Sequence, residues 1–238
     1  MLDIVYVVGG PTSDDRADLR HSLRTVAEHA RFKFRDVWVV GDVPDWFRGA
    51  RMPLDPKPDK FRNQRASLEA YVNHPGAAAE FVLFNDDMFA LDPVDRIEPF
   101  RNEARSDTWR ADHAGIGHGP ECWTCVVKDT AAWAQQRAGH PVGVYECHVP
   151  LIFNTRALRD LMLDYPHDRR FAVGELFDLA GVGGPGRHVG NAKCGRADNL
   201  DHKLALDMPW ISASPDTWAG RLGDLIRSRF QTPSPWED

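Results

Sequence analysis

The chain is poor in cysteine, in excess positive charge and in long apolar runs. Four cysteines among 238 residues cannot form a disulfide scaffold, so the fold must rest on a packed core, and a reducing cytoplasm is the expected compartment. A net charge of -6 excludes a broad nucleic-acid surface. No stretch approaches the roughly 20 apolar residues that a membrane helix needs, so no membrane span is expected. The opening Met1-Leu2-Asp3-Ile4-Val5-Tyr6-Val7-Val8 has no basic n-region and no cleavage site. It reads as a first core strand, not a signal peptide. What is present is an apolar fraction of 42%, sufficient for a full core in one large α/β domain.

The first half reads in order. Asp3 to Val8 is a β-rich run ending at Gly9-Gly10-Pro11. Thr12 or Ser13 is expected to cap a helix, with Asp14 and Asp15 in its first turn and Leu19, Leu23, Val26 and Ala27 on the buried face, ending near Ala30. Asp36 to Gly41 is a second buried strand. A Pro-rich connection follows, then a helix over 63–72 and a third strand over 81–85. Strand, helix, strand, helix, strand predicts a mostly parallel, doubly wound sheet flanked by helices, with ligands beyond the carboxyl ends of the strands. Gly9-Gly10, Gly41-Asp42 and Asn85-Asp86-Asp87 all fall at those ends. Residues 96–238 are less regular. Short helices are expected at 128–137, 155–163 and 174–180, a strand around 146–150, a mobile loop over the six glycines of 181–195, and a last helix from Ser214-Pro215 to about Phe230. No linker divides the chain, so one domain is expected, with 1–95 as its ligand-binding half.

Phe81-Val82-Leu83-Phe84-Asn85-Asp86-Asp87-Met88-Phe89 carries the strongest chemical signal. A buried strand that runs into two adjacent carboxylates is costly unless a cation meets them. Mn²⁺ or Mg²⁺ prefers such oxygen ligands, commonly with substrate phosphates completing the shell. Asp87 is the expected direct ligand, with Asp86 on the metal or on a ribose. The alternative is a strand-to-turn junction in which Asp caps a backbone N–H. Arg16, Arg20 and Arg24 form an i, i+4, i+8 stripe suited to phosphate oxygens or to plain solvation, with Arg20 and Arg24 favoured for the former. Arg62 and Asn63 open the second helix, where backbone amides could take an anion and Asn63 a hydroxyl or phosphate, against a plain N-terminal helix cap. His148, in Cys147-His148-Val149-Pro150, is a candidate third metal ligand, phosphate contact or general acid/base, against a satisfied core histidine. Cys122 and Cys125, with Cys147, His148 and Cys194, raise a zinc-stabilised interaction module as a rival, although a second C-x₂-C pair is missing. Glu146, Glu175 and Asp178 are unranked candidate bases.

These segments together resemble the Stealth-type sugar-phosphate transferases and the short GT-A-like glycosyltransferases encoded by actinobacterial phages. Asp3-Ile4-Val5-Tyr6 resembles the opening block. Asp18-Leu19-Arg20-His21-Ser22-Leu23-Arg24, then Val37-Trp38-Val39-Val40 and Pro44-Asp45-Trp46, resembles the second. Phe84-Asn85-Asp86-Asp87-Met88-Phe89 is similar to "(F/Y)NDDMF" almost letter for letter, and His148-Val149-Pro150 resembles the later "HxP" block. The resemblance implies a GT-A-like fold, a nucleotide-diphosphate sugar donor and a divalent cation. It also implies site roles for Arg20, Arg24, Asn63, Asp86, Asp87 and His148. Where that family continues its opening block with "WV(D/N)GSD", this chain has Val7-Val8-Gly9-Gly10-Pro11-Thr12, which argues less for phosphoryl transfer and leaves the donor class standing.

The sequence therefore predicts a metal-dependent glycosyltransferase of GT-A-like fold, cytoplasmic in a bacterial host if phage-encoded. It would move a sugar from a nucleotide-diphosphate sugar to a glycan or protein hydroxyl. Gly9, Gly10, Arg20, Arg24, Arg62, Asn63 and Asn85 would bind the donor, and Asp86, Asp87 and His148 would serve metal and catalysis. Transfer of sugar-1-phosphate from the same donor class is the alternative, and a non-catalytic sugar-binding module is a further one.

Overall fold

A computed structural model describes residues 1–9, 15–57, 59–101, 123–145, 147–196 and 198–238. Gly10, the proposed helix cap at 12–13, Cys122 and Glu146 lie outside these residues. The central sheet has five strands in the order β3-β2-β1-β4-β7. These are β1 (Leu2–Val8), β2 (Phe34–Gly41), β3 (Ala50–Pro53), β4 (Glu80–Asn85) and β7 (Leu151–Asn154). The first four run parallel, and β7 pairs antiparallel with β4. This is an α/β fold with a mostly parallel sheet flanked by helices, consistent with the GT-A-like, Rossmann-like architecture.

Alternation along the strands dictates the two helical layers. Ile4, Tyr6 and Val8 of β1 pack with Val37, Val39 and Phe84 against Leu19, Leu23 and Val26 of α1 (Ala17–His29). Val5 and Val7 pack on the opposite face with Val40 and Leu83 against Leu68, Tyr71 and Val72 of α2 (Lys60–Val72). On that face, α3 (Trp123–Ala138) and α4 (Thr155–Asp164) complete the layer. Each fully buried side chain of this kind stabilises by about 1.5–3 kcal/mol. Gly41 ends β2 at φ +115°, and a Cβ there would lie 2.1 Å from the Val8 carbonyl oxygen, so only glycine fits.

β1 has β2 on one side and β4 on the other. The chain moves outward through β2 and β3, then returns to the far side of β1. A crevice opens at this reversal, outside the carboxyl ends of β1 and β4.

Several elements depart from expectation. Helix α1 starts at Ala17, because Asp15 and Arg16 take left-handed backbone angles (φ 54° and 58°) that a helix cannot contain. Helix α2 starts at Lys60, three residues early, because Asp59 caps it by accepting from Phe61 N and Arg62 N, each at 3.0 Å. The Pro-rich connection hides β3. The strand expected around 146–150 lies instead at Leu151–Asn154, since His148 sits at φ 55° and Pro150 cannot donate to a ladder. A second sheet, β5-β10-β9, joins Met88–Ala90, Trp210–Ala213 and Lys193–Cys194, and β6 (Phe100–Arg101) pairs with β8 (Arg187–His188). The glycine-rich segment 181–195 therefore supplies strands as well as loop. Val173–Leu176 forms a 3₁₀ turn leading into α5 (Phe177–Ala180), and α6 is Leu200–Leu204. The expected final helix is two, α7 (Pro215–Trp218) and α8 (Arg221–Arg229), broken at Gly220. No described helix is long and apolar enough to cross a membrane.

Candidate functional site

A cleft of about 670 Å³ occupies the crevice at the strand reversal. Its walls include Gly9 at the end of β1, Asn85, Asp86 and Asp87 at the end of β4, and Lys60, Asn63 and Gln64 on the first turns of α2. His148 and Lys193 close it from the C-terminal half.

Helix α1 fixes the acidic turn from below. Ser22 Oγ hydrogen-bonds the Met88 carbonyl and meets the Tyr6 hydroxyl at 2.9 Å. Ala90 N donates to Thr25 Oγ1 at 3.0 Å. Both contacts hold β5, and with it the Asp86-Asp87 turn. Ala213 N donates to the Asp87 carbonyl at 3.0 Å and ties the same turn to β10.

Arg16 staples the three strand ends. Its guanidinium donates to the Gly9 carbonyl and to Asp42 Oδ2, each at 2.5 Å, and reaches Asp86 Oδ2 at 3.5 Å. Only 6% of its side chain is exposed. The left-handed backbone at Arg16 turns the side chain back under β1 and out of the α1 stripe. Asp86 is pushed up to about 8, first by burial and then by the Asp18 and Asp87 carboxylates, against the pull of Arg16.

Asp87 is ion-paired to Lys193 through Oδ2. Its other oxygen, Oδ1, is buried and has no hydrogen-bond partner among the described residues. An orphaned carboxylate oxygen is costly, and hard divalent cations take oxygen ligands of this type. Asp86 and Asp87 offer the oxygen donors that Mn²⁺ or Mg²⁺ prefers, each with one oxygen engaged by a neighbouring cation. Among the described residues no group of three or more His, Cys, Asp or Glu could hold a metal ion. His148 thus shares the cleft wall but does not complete a three-ligand set with Asp86 and Asp87. Nor do Cys125, Cys147 and Cys194 form a zinc cluster.

His148 is held well below its usual range, to about 4, first by burial and then by the Lys193 charge, with Asp87 opposing. Its imidazole is neutral at pH 7 and offers a free lone-pair chemistry for proton transfer.

Of the residues singled out from sequence, the cleft gathers Gly9, Arg16, Asn63, Asn85, Asp86, Asp87 and His148. Asn63 also pins the preceding loop, accepting from Lys57 N at 2.5 Å. Arg20 and Arg24 are directed elsewhere, onto Glu237 at the C-terminal tail. Arg62 is half exposed and pairs with Asp59 at 3.5 Å. The backbone amides expected to take an anion at the start of α2 are used by Asp59. Glu175 is fully buried and Asp178 binds Tyr145 and Gly143, so neither is placed as a base at the cleft. Lys60, Gln64, Asn191 and Lys193 were missed: single polar residues in a helix start and a glycine-rich segment carry no spacing signal.

No family model matches the chain. Over 93% of its length it is 27% identical to an exopolysaccharide phosphotransferase of Streptomyces coelicolor. The chain spans about half of that relative, 49% of its length.

Proposed function

We propose that this protein transfers sugar-1-phosphate from a nucleotide-diphosphate sugar to an acceptor hydroxyl, with Mn²⁺ or Mg²⁺ held at Asp86 and Asp87. The observation that carries this reading is the placing of Asp86 and Asp87, at the strand reversal, on the wall of a cleft large enough for a nucleotide sugar, with Oδ1 of Asp87 buried and without a partner among the described residues. The name of the relative favours phosphoryl over glycosyl transfer.

In this reading Arg16 fixes Asp86, and Lys60 and Lys193 supply positive charge for phosphate oxygens. A bound divalent ion would offset the charge that builds on the diphosphate as its bridging bond breaks. The acceptor oxygen forms a bond to the β-phosphorus, and the bond from that phosphorus to the bridging oxygen breaks. Nucleoside monophosphate leaves with the electron pair. His148 takes the hydroxyl proton.

Transfer of the bare sugar is the second reading, favoured by the GT-A-like topology. It uses the same cleft but breaks the sugar–oxygen bond and releases nucleoside diphosphate. A panel of UDP-, GDP- and dTDP-sugars, with and without Mn²⁺, separates the two. Monophosphate release and a product carrying both sugar and phosphate are expected. Diphosphate release would transfer the conclusion to the second reading, and no donor response with any metal would overturn both.

A further inference from the structure

The two carboxylates of the cleft hold their cations differently. Arg16, at Asp86, is anchored at two further points and buried. It has nowhere to go. Lys193, at Asp87, is anchored only through its backbone. Strand β9 pairs with β10 at Ser212, and Lys193 N donates to Asn191 Oδ1 at 2.8 Å. Its side chain is 24% exposed, and the pair with Asp87 is the one side-chain bond described for the ammonium. A lysine arm of this kind pivots on a fixed root, and its three N–H groups donate to any acceptor oxygen in reach.

That pairing has two consequences for ligands. A divalent cation arriving alone at Asp87 meets a positive charge already in contact with the carboxylate. An anionic diphosphate arriving alone finds the Lys193 ammonium already held by the Asp87 carboxylate. Either ligand is opposed without the other. When both arrive, the ammonium can leave Asp87 for a phosphate oxygen while the cation takes the vacated carboxylate. Each charge then faces its opposite.

Resting on the nucleotide-sugar reading above, we propose that Lys193 is an exchangeable counter-ion. It sits on Asp87 when no donor competes for it and on the donor's diphosphate when one does, so that divalent cation and diphosphate bind as a coupled pair. Lys193 is then a donor-binding residue that acts on the metal by withholding its ligand.

The test is Mn²⁺ binding to the full chain, followed by electron paramagnetic resonance of free Mn²⁺, with and without UDP or GDP. Three proteins are compared: the unsubstituted chain, Lys193→Met, and Lys193→Arg. Methionine keeps the length and apolar packing of the lysine stem, and a thermal melt confirms folding. Deleting a residue of the site should then strengthen one ligand: Lys193→Met binds Mn²⁺ alone about fivefold or more tighter than the unsubstituted chain, and the gain that nucleotide confers on Mn²⁺ shrinks by the same factor. Nucleotide affinity falls in the same variant. Lys193→Arg keeps the original coupling. A purely structural lysine gives the opposite sign, with Mn²⁺ binding unchanged or weaker in Lys193→Met, and that result overturns this inference while leaving the proposed function standing. If the unsubstituted chain binds neither Mn²⁺ nor nucleotide, both fall together.

Discussion

At one end of α1, Arg16 reaches Asp42 and Asp86; one and two turns further on, Arg20 and Arg24 reach Glu237. The residue types are the same and the helix is the same, but the two clusters are built differently. Glu237 is 1% exposed at its side chain, and both of its oxygens are used. Arg24 Nε donates to Oε1 at 2.9 Å and Nη2 to Oε2 at 2.7 Å, while Ser234 N adds 2.9 Å and Arg20 Nη1 3.3 Å. Arg20 also stacks over Trp46, 4.1 Å from its ring centroid. This cluster latches the C-terminal tail to α1. At the cleft, Asp87 keeps one oxygen without a partner among the described residues and pairs the other with Lys193. The Glu237 carboxylate is fully paired, while Asp87 keeps a buried oxygen without a partner among the described residues, and such a group calls for an explanation.

The contrast breaks most visibly at Asp87. Asp87→Asn is expected to reduce donor turnover by roughly 10³-fold or more while the melting temperature changes little, because the lost group serves a reaction and not the fold. Steady-state kinetics beside thermal unfolding check this, and equal losses in both would erase the distinction. Glu237→Ala should do the reverse. Removing one member of a buried pair costs about 3–5 kcal/mol, and the partial exposure of Arg20 and Arg24 reduces that to about 2–3 kcal/mol, with turnover per folded molecule retained. Urea unfolding reads the loss.

The same carboxylate gives a pH signature. Burial pushes Glu237 up, but Arg24 and the Ser234 amide outweigh burial and hold it below the usual carboxylate range. Its stabilisation is therefore complete above the unfolded-state value of about 4.3 and is lost as pH falls through the lower folded-state value. Melting temperature below that pH should decline more steeply in the unsubstituted chain than in Glu237→Gln. The smallest effect is expected at Arg62. Arg62→Ala removes a half-exposed side chain, so stability should stay within about 0.5 kcal/mol and the KM for donor should be unchanged in a turnover assay.

The parallel sheet and the convergence of its tips were legible because β1, β2 and β4 are buried on both faces. Such strands read as unbroken apolar runs, and their ends stand out as Gly or Asp. Strands β3, β5, β9 and β10 were not legible. They have two to four residues each, too few for a period to register, and they exist through pairing with distant segments. The acidic turn could be read because its cost is local. The destination of Arg20 and Arg24 could not, since Glu237 lies more than two hundred positions away and nothing near either arginine announces it. Lys193 was silent for the same reason. His148 was recognised as chemistry but misplaced on a strand, because a left-handed turn before Pro150 leaves no mark on hydrophobic pattern.

The two borders of the main sheet deserve a consequence of their own. A sheet that ends in bare strands is a template onto which a neighbouring chain can add. Here β3 is four residues long and finishes at Pro53, which has no N–H to offer. On the other side, Gly181 bridges to Phe153 of β7, and Val182 N donates to the Ile152 carbonyl at 2.9 Å. Segment 181–182 thus seals from within the one margin where an antiparallel intruder would have docked, and the short, proline-ended β3 discourages growth at the opposite one.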